Sequence, residues 1–353
     1  MRKYYTRACN FYYGNLAKTL IKKKKALPLC GKKDIAFDSL EIFIRNKNRI
    51  KSLIINYKEI KNLNNEIKKI VFKDLKNIIS KRKNFLKNIN FSETIIMGIL
   101  NLTPDSFSDG GQFNKKAKAL KHINFMIKSG AEIIDVGGES TRPGSKTIDQ
   151  NIEWKRVQGV LKIFKKKYKN ICLSLDTRKY FLMKKGIENG VDLINDVSGF
   201  NYDKKSSFIL KKNNISKVLH HMQGSPNTMQ INPKYRNVLL DIYDYFEKNI
   251  TKNFNDKKII IDPGIGFGKT LKHNLSIISK ISLFHSLGFP ILVGTSRKRF
   301  ISQISDKYDT KDRTGGTIAS VLSLLLQGVQ IFRVHSVKDI KQGILVFKKI
   351  LDI

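Results

Sequence analysis

Asp176, Asn195, Asp262, Lys298, Arg333 and His335 all lie in or just after short apolar runs, as in LSLDT, LINDV, IIIDPG, LVGTSRK and FRVHS. Carboxylates and a carboxamide in fixed positions present donors and acceptors that can pair edge-on with a flat, guanidine-like heterocycle. Arg142, Arg333 and His335 offer cationic donors, and arginine grips phosphate oxygens in two-pronged fashion. Asn101, at the end of another run, adds a neutral oxygen. Three of these residues also have a plain structural reading. Asp176 precedes a helical stretch and could cap it. Asp262 stands in Asp-Pro-Gly and could simply form a turn, and His335 could partner a helix cap.

The elements that must position these groups follow from the hydrophobic pattern. Apolar runs occupy Ile95 to Leu102, Glu132 to Gly137, Ile171 to Leu175, Leu193 to Asn195, Ser216 to His221, Lys258 to Asp262, Pro290 to Val293 and Gln330 to Val334. Stretches with helical spacing lie between them, including Lys115 to Lys128, Ile152 to Tyr168, Lys234 to Phe254 and Thr314 to Gln327. Eight β-α units after residue 93 predict an α/β fold, a closed (β/α)8 TIM barrel, which takes about 250 residues. A doubly wound open sheet is the alternative. A barrel places its chemistry at the C-terminal strand ends. Here those ends carry Asn101, Asp135, Asp176, Asn195, His220 with His221, Asp262, Gly294 with Ser296 and Lys298, and Arg333 with His335. Ser336, followed by Asp339, reads as the cap and third residue of the last helix.

Eight motifs in order, NLTPDSFSDGG, IIDVGGESTRPGS, LSLDT, LINDVSG, HHMQGSPNTMQ, IIIDPGIGFGKT, LVGTSRKRF and FRVHSVKD, resemble those of the dihydropteroate synthases. The resemblance covers residues 95 to 353. It implies condensation of 6-hydroxymethyl-7,8-dihydropterin pyrophosphate with p-aminobenzoate in folate biosynthesis, giving 7,8-dihydropteroate and pyrophosphate. By the same resemblance Asp176, Asn195 and Asp262 bind the pterin, with Lys298 beside the ring and Phe267 and Arg333 against its faces. Asn101, Arg142, Arg333 and His335 take the pyrophosphate. Asn101 helps hold Mg²⁺ together with substrate phosphates and water, and Asp135 and Asp105 are candidate helpers. Phe107, Thr141, Pro143, Ser296 and Lys298 form the p-aminobenzoate pocket, where sulfonamides compete, and the first loop, with Gly110 and Gly111, closes over it. The catalytic set is Asp176, Lys298, Arg333 and His335, and a homodimer through barrel helices is expected. A methyltetrahydrofolate methyltransferase would share the pterin trio but has no use for a diphosphate site. Gly264, Gly266, Gly268 and Lys269 look like a phosphate loop without the Walker A spacing. One departure is His220, where the family often has methionine.

Composition bounds the rest. The chain has 353 residues, 41% of them hydrophobic, and a formal charge of +38. Its lysines are spread along the chain in company with Asn and Ile, a pattern that points to base composition and not to a nucleic-acid-binding patch. Cys9, Cys30 and Cys172 have no metal-type spacing and read as cytoplasmic thiols. Ile318 to Val334 is the most apolar stretch, yet Gln327, Gly328, Gln330 and Arg333 break it, so no membrane span is expected. Residues 1 to 93 hold two glycines and one proline and form a separate basic segment of unassigned role before the 94–353 barrel. YYTRACNFYYG and FDSLEIFIR read as strands and Asn62 to Leu86 as a helix, giving a small α+β extension packed on the barrel. Its tyrosines and phenylalanine read as core, and Lys22 to Lys25 as a solvated loop.

Overall fold

The computed structural model describes residues 2–47, 49–103, 112–254, 258–305 and 313–352. In the extension these are β1 (Arg2–Tyr13), α1 (Gly14–Lys22), β2 (Leu27–Pro28), β3 (Ile35–Asn46), β4 (Arg49–Asn56) and α2 (Asn65–Ile79). The barrel follows as β5 (Ile95–Asn101), α3 (Gln112–Lys128), β6 (Ile133–Gly137), α4 (Gln150–Lys167), β7 (Cys172–Asp176), α5 (Tyr180–Glu188), β8 (Leu193–Asp196) and α6 (Ser206–Lys212). It continues through β9 (Ser216–His220), α7 (Val238–Asn249), β10 (Ile259–Asp262), α8 (Leu271–Ser279), β11 (Leu292–Val293), α9 (Arg299–Ile304), α10 (Thr314–Leu325), β12 (Ile331–Val334) and α11 (Val337–Leu351). Every barrel strand lies within two residues of its expected run.

The eight barrel strands are parallel, in the order β10-β9-β8-β7-β6-β5-β12-β11. A bridge between Ile261 and Ile291 joins the two ends, and the Ile261 N–H donates to the Pro290 carbonyl at 3.0 Å. The ring is therefore a closed barrel and not an open doubly wound sheet. Alternation along each strand sorts its side chains. At the base, Met97, Ile133, Cys172, Leu193, Val218, Ile260, Leu292 and Ile331 pack together. Leu86, Ile89 and Phe91 plug them from below. Two residues further along, six of the strands turn polar at Asp135, Ser174, Asn195, His220, Asp262 and Arg333, and the site begins there.

The extension has more structure than its sequence suggested. β3 is central, with β1 antiparallel along its length and β2 and β4 pairing with it as well. Tyr4, Ala8, Leu40 and Ile42 face Ile67, Val71, Leu75 and Ile78 of α2 in one core. Tyr5 and Phe43, on the other face, belong to the barrel's own core. Tyr5 meets Tyr243 of α7 edge-on at 5.2 Å. Lys3 pairs with Asp244 and Glu247, and Arg45 with Asp241 and Asp244. The helix expected over Asn62 to Leu86 is shorter. Asn64 caps it by accepting the Ile67 N–H at 3.0 Å, and the buried Arg82 takes the carbonyls of Asn77 and Ser80 at its end. The residues beyond become the barrel plug. Lys22 closes α1, and Lys23 to Lys25 are exposed, as expected.

Candidate active site

Arg333 reaches from β12 across the barrel and bridges two carboxylates. Its Nε donates to Asp135 Oδ2 at 2.7 Å and its Nη2 to Asp176 Oδ2 at 2.7 Å. Asp135, fully buried on β6, also accepts from the Ser174 hydroxyl at 2.5 Å and from Asn195 Nδ2 at 3.0 Å. Its Oδ2 thus orients Arg333 and Asn195 while its Oδ1 holds Ser174. Asp176 and Asn195 are neighbours in register on β7 and β8. Burial lifts the Asp176 carboxyl above the usual range, and Arg333 opposes this only in part. The capping reading of Asp176 fails. α5 starts at Tyr180, and Asp203 accepts that N–H at 3.1 Å. Asn101 ends β5. A Cβ built on Gly137 would lie 3.6 Å from both Asn101 Oδ1 and Asp176 Oδ2, so the two oxygens overlook a bare glycine.

The far wall comes from β9, β10 and the loop after β10. Asp262 does form the expected turn, its Oδ1 accepting the Gly264 N–H at 2.8 Å. Its Oδ2 stays 4.0 Å from His220 Nε2. His220 Nδ1 lies 3.0 Å from the Val197 carbonyl, so Nδ1 carries the proton and Nε2 presents a lone pair. Burial, then Lys298 and Lys269, keep this ring neutral. It meets Phe267 edge-on at 4.7 Å, and Lys298 Nζ stands 4.4 Å over the centre of the same Phe267 ring. Lys298 also donates to the Ile265 carbonyl, and burial lowers it to about 7. Lys269 donates to the Phe267 carbonyl at 2.8 Å and lies 3.1 Å from His221 Nδ1. It is a buried structural lysine, and the phosphate-loop likeness of its sequence has no counterpart in the fold.

Arg142, Arg297, Arg333 and Lys298 form a cationic corner around His335. The His335 N–H donates to Ser296 Oγ at 3.2 Å, and the same hydroxyl lies 3.0 Å from Nδ1. The hydroxyl therefore gives its proton to Nδ1, and Nε2 keeps the ring proton. Burial, then Arg333, Arg297, Arg142 and Lys298, hold His335 down to about 3. The cationic donor expected from the sequence is thus, in the free protein, a neutral one. Ser336 stands at the head of α11 without capping it; its hydroxyl accepts from Arg297 Nη2 at 3.0 Å. Arg297 was not singled out in the sequence. Its left-handed backbone, at φ 58°, and its buried Nε without a partner mark it now.

Thr141 is half-buried and Arg142 and Pro143 are exposed on the loop after β6. A buried network that sequence reasoning missed holds this loop. Glu139 accepts from Arg178 at 3.0 Å, from Lys179 at 3.0 Å and from the Ile148 N–H at 2.9 Å. Lys179 continues to Glu153 at 2.5 Å, and Arg178 to Thr147 at 2.9 Å. The signal for it was Glu139 in one motif and Arg178 and Lys179 directly after the next, readable only once β6 and β7 are known to be neighbours. Phe107, Asp105, Gly110 and Gly111 lie outside the described residues. Among the described residues no three of His, Cys, Asp and Glu gather into a metal-binding group.

The model of the pterin binding enzymes matches residues 97–335, a span from β5 to the end of the cationic corner. The dihydropteroate synthase of Neisseria meningitidis serogroup B is 40% identical over 259 residues, 71% of this chain and 90% of that protein. The chain belongs to the dihydropteroate synthase family. Its activity is that of a dihydropteroate synthase, a transferase. Solved structures agree. The Yersinia pestis dihydropteroate synthase in a sulfonamide complex superposes with a TM-score of 0.70 at 36% identity, over 74% of this chain and 96% of that one. The Xanthomonas albilineans enzyme with 4-aminobenzoic acid gives 0.70 at 30% identity, over 75% and 96%. The first 96 residues fall outside the family match.

Proposed function

We propose that Asp176, Asn195 and Asp262 hold the amino-pyrimidinone edge of 6-hydroxymethyl-7,8-dihydropterin pyrophosphate. Lys298 meets the other side of the ring, with Phe267 and Arg333 against its faces. Arg142, Arg333 and His335 receive the pyrophosphate, with Arg297 behind them. Thr141, Pro143, Ser296 and Lys298, together with Phe107, shape the p-aminobenzoate pocket. The observation that carries this reading is the Arg333 bridge, which sets the anion corner directly against the carboxylate facing the pterin.

Reaction follows as displacement at the pterin methylene. The carbon–oxygen bond breaks and its electron pair leaves with pyrophosphate, stabilised by the cationic corner. The methylene cation is conjugated to the ring, and the Asp176 carboxylate faces it. The p-aminobenzoate nitrogen then forms the new bond and gives up a proton, and no covalent enzyme intermediate is needed. The donor set suits Mg²⁺, which accepts few protein ligands and draws the rest from phosphate and water. Asn101 Oδ1 would hold it, and its charge would offset that of the diphosphate.

Pteroate synthesis by the purified chain tests the reading. Product is expected with Mg²⁺, lost with EDTA and competed by a sulfonamide. A folded chain that binds the pterin yet forms no pteroate overturns it. We also propose a homodimer through the outer helices of the barrel.

A further inference from the structure

A cavity of about 380 Å³ lies where the extension meets the base of the barrel, at the end opposite the mouth. Only Leu325 and Leu326 of its lining fall within the family match; the extension, Thr94 and the end of α11 supply the rest. Lys32 is 5% exposed, and burial lowers its pKa against the opposing pull of Cys30, Asp34 and Glu93. Thr94, 7% exposed, and Ser92 bring hydroxyls that are buried without a partner. Unpaired buried groups of this kind are costly. Two of them beside a buried lysine, on the wall of one cavity, mark a site built for a partner.

The charge of that partner follows from the lining. Lys18, Lys33, Lys81 and Lys348 join Lys32, against Asp34, Glu93 and Asp352. Five ammonium groups exceed three carboxylates. The lining has no arginine, so its positive charge comes from lysines, each a point charge with three donors. Lysine acts as a compact point charge and, with hydroxyl donors, suits a tetrahedral dianion. The space exceeds what a bare anion fills, and Ile35, Leu325 and Leu351 give it an apolar side. We propose that this cavity binds a small organic phosphate, its phosphate on Lys32, Ser92 and Thr94 and its organic body against the apolar side. The site is independent of the chemistry at the mouth.

Modification of individual lysines in the full-length protein, read by mass spectrometry, tests this locally, so anions bound at the mouth do not contribute. Phenyl phosphate should slow modification of Lys32 about tenfold, and T94V should raise the half-protecting concentration by about tenfold. Unprotected Lys32 overturns the site. Equal protection by benzoate overturns the phosphate class, and equal protection by inorganic phosphate overturns the organic body. A second readout does not depend on a ligand. K32M, which removes a charge that burial disfavours and puts an apolar chain in its place, should raise Tm in phosphate-free buffer and lose the rise that phenyl phosphate gives the unaltered chain. A fall in Tm would show that Lys32 is already satisfied and would overturn the proposal.

Discussion

Arg333 decides the site because one planar fork serves two carboxylates. Lysine keeps the charge but cannot span Asp135 and Asp176 together. R333K should therefore lower kcat/KM by about 10²–10³-fold, the scale of losing one preorganised charge-stabilising donor, in a steady-state assay with a fold unchanged by circular dichroism. The pH profile is a second check. Asp176 must be ionised to face a cationic methylene, and burial raises its carboxyl. Activity should thus fall as pH drops, with the acid limb above the ordinary carboxylate range. His335, held at about 3, should add no limb near neutrality. His220 is the residue whose sequence signal was hardest to weigh. Its Nδ1–H is taken by Val197 and its ring stays neutral, so it acts as a flat wall. H220M should leave kcat within about threefold and the pH profile unmoved, since the swap is close to volume-conserving. A lost basic or acidic limb in that variant would instead give His220 a proton to transfer.

At the scale of elements, docking of the extension on α7 carries its own pH dependence. Asp74 of α2 is 5% exposed near Thr6 and Glu247, and burial lifts its carboxyl to about 7. An unfolded Asp titrates near 4. Between those values the folded chain keeps a proton that the unfolded chain has lost, so stability falls as pH rises from about 4 to about 7. D74N should flatten that slope and raise Tm at pH 8, and equal slopes in scanning calorimetry would contradict the assignment. The elements themselves were unevenly legible. Barrel strands announce themselves because both faces are buried, so each reads as an unbroken apolar run ended by a polar residue. β4 (RIKSLIIN) covers one side of a small sheet and is half exposed, and its lysine and arginine hid it. α1 starts at Gly14, where φ is 57° and a Cβ would fall 1.8 Å from the Leu351 carbonyl. The left-handed backbone and the contact with the far end of the chain both call for that glycine, and neither is visible in the sequence. The site was legible to the same extent. Strand-end residues such as Asp176 could be named from their runs, whereas the Glu139–Lys179–Glu153 network and the Ser336–Arg297 bond depend on which strands adjoin.

The whole molecule leaves one flank of its ring unlike the others. The outer faces of α10 and α11 form a groove of about 540 Å³ lined by Ile318, Leu322, Val346, Phe347 and Ile350. Val346 and Ile350 are 56% and 59% exposed, and Leu345 beside them is 57% exposed. Contiguous apolar surface of this kind is uncommon on a monomer. Exposed Phe72, Phe208 and Ile231 belong to other parts of the chain. A two-fold axis through the α10–α11 groove would cover each copy's apolar strip with the other's, since a closed dimer uses one self-complementary patch. It would leave the strand ends free, because these helices flank the barrel and do not cross its mouth. V346D puts a charge at the centre of the strip and should shift sedimentation from dimer to monomer at micromolar concentration. Activity per chain should change by less than about twofold, since none of the groove residues is among those proposed to hold the substrates. A parent chain that sediments as a monomer would remove the dimer; a V346D variant that stays dimeric would move the interface elsewhere on the ring.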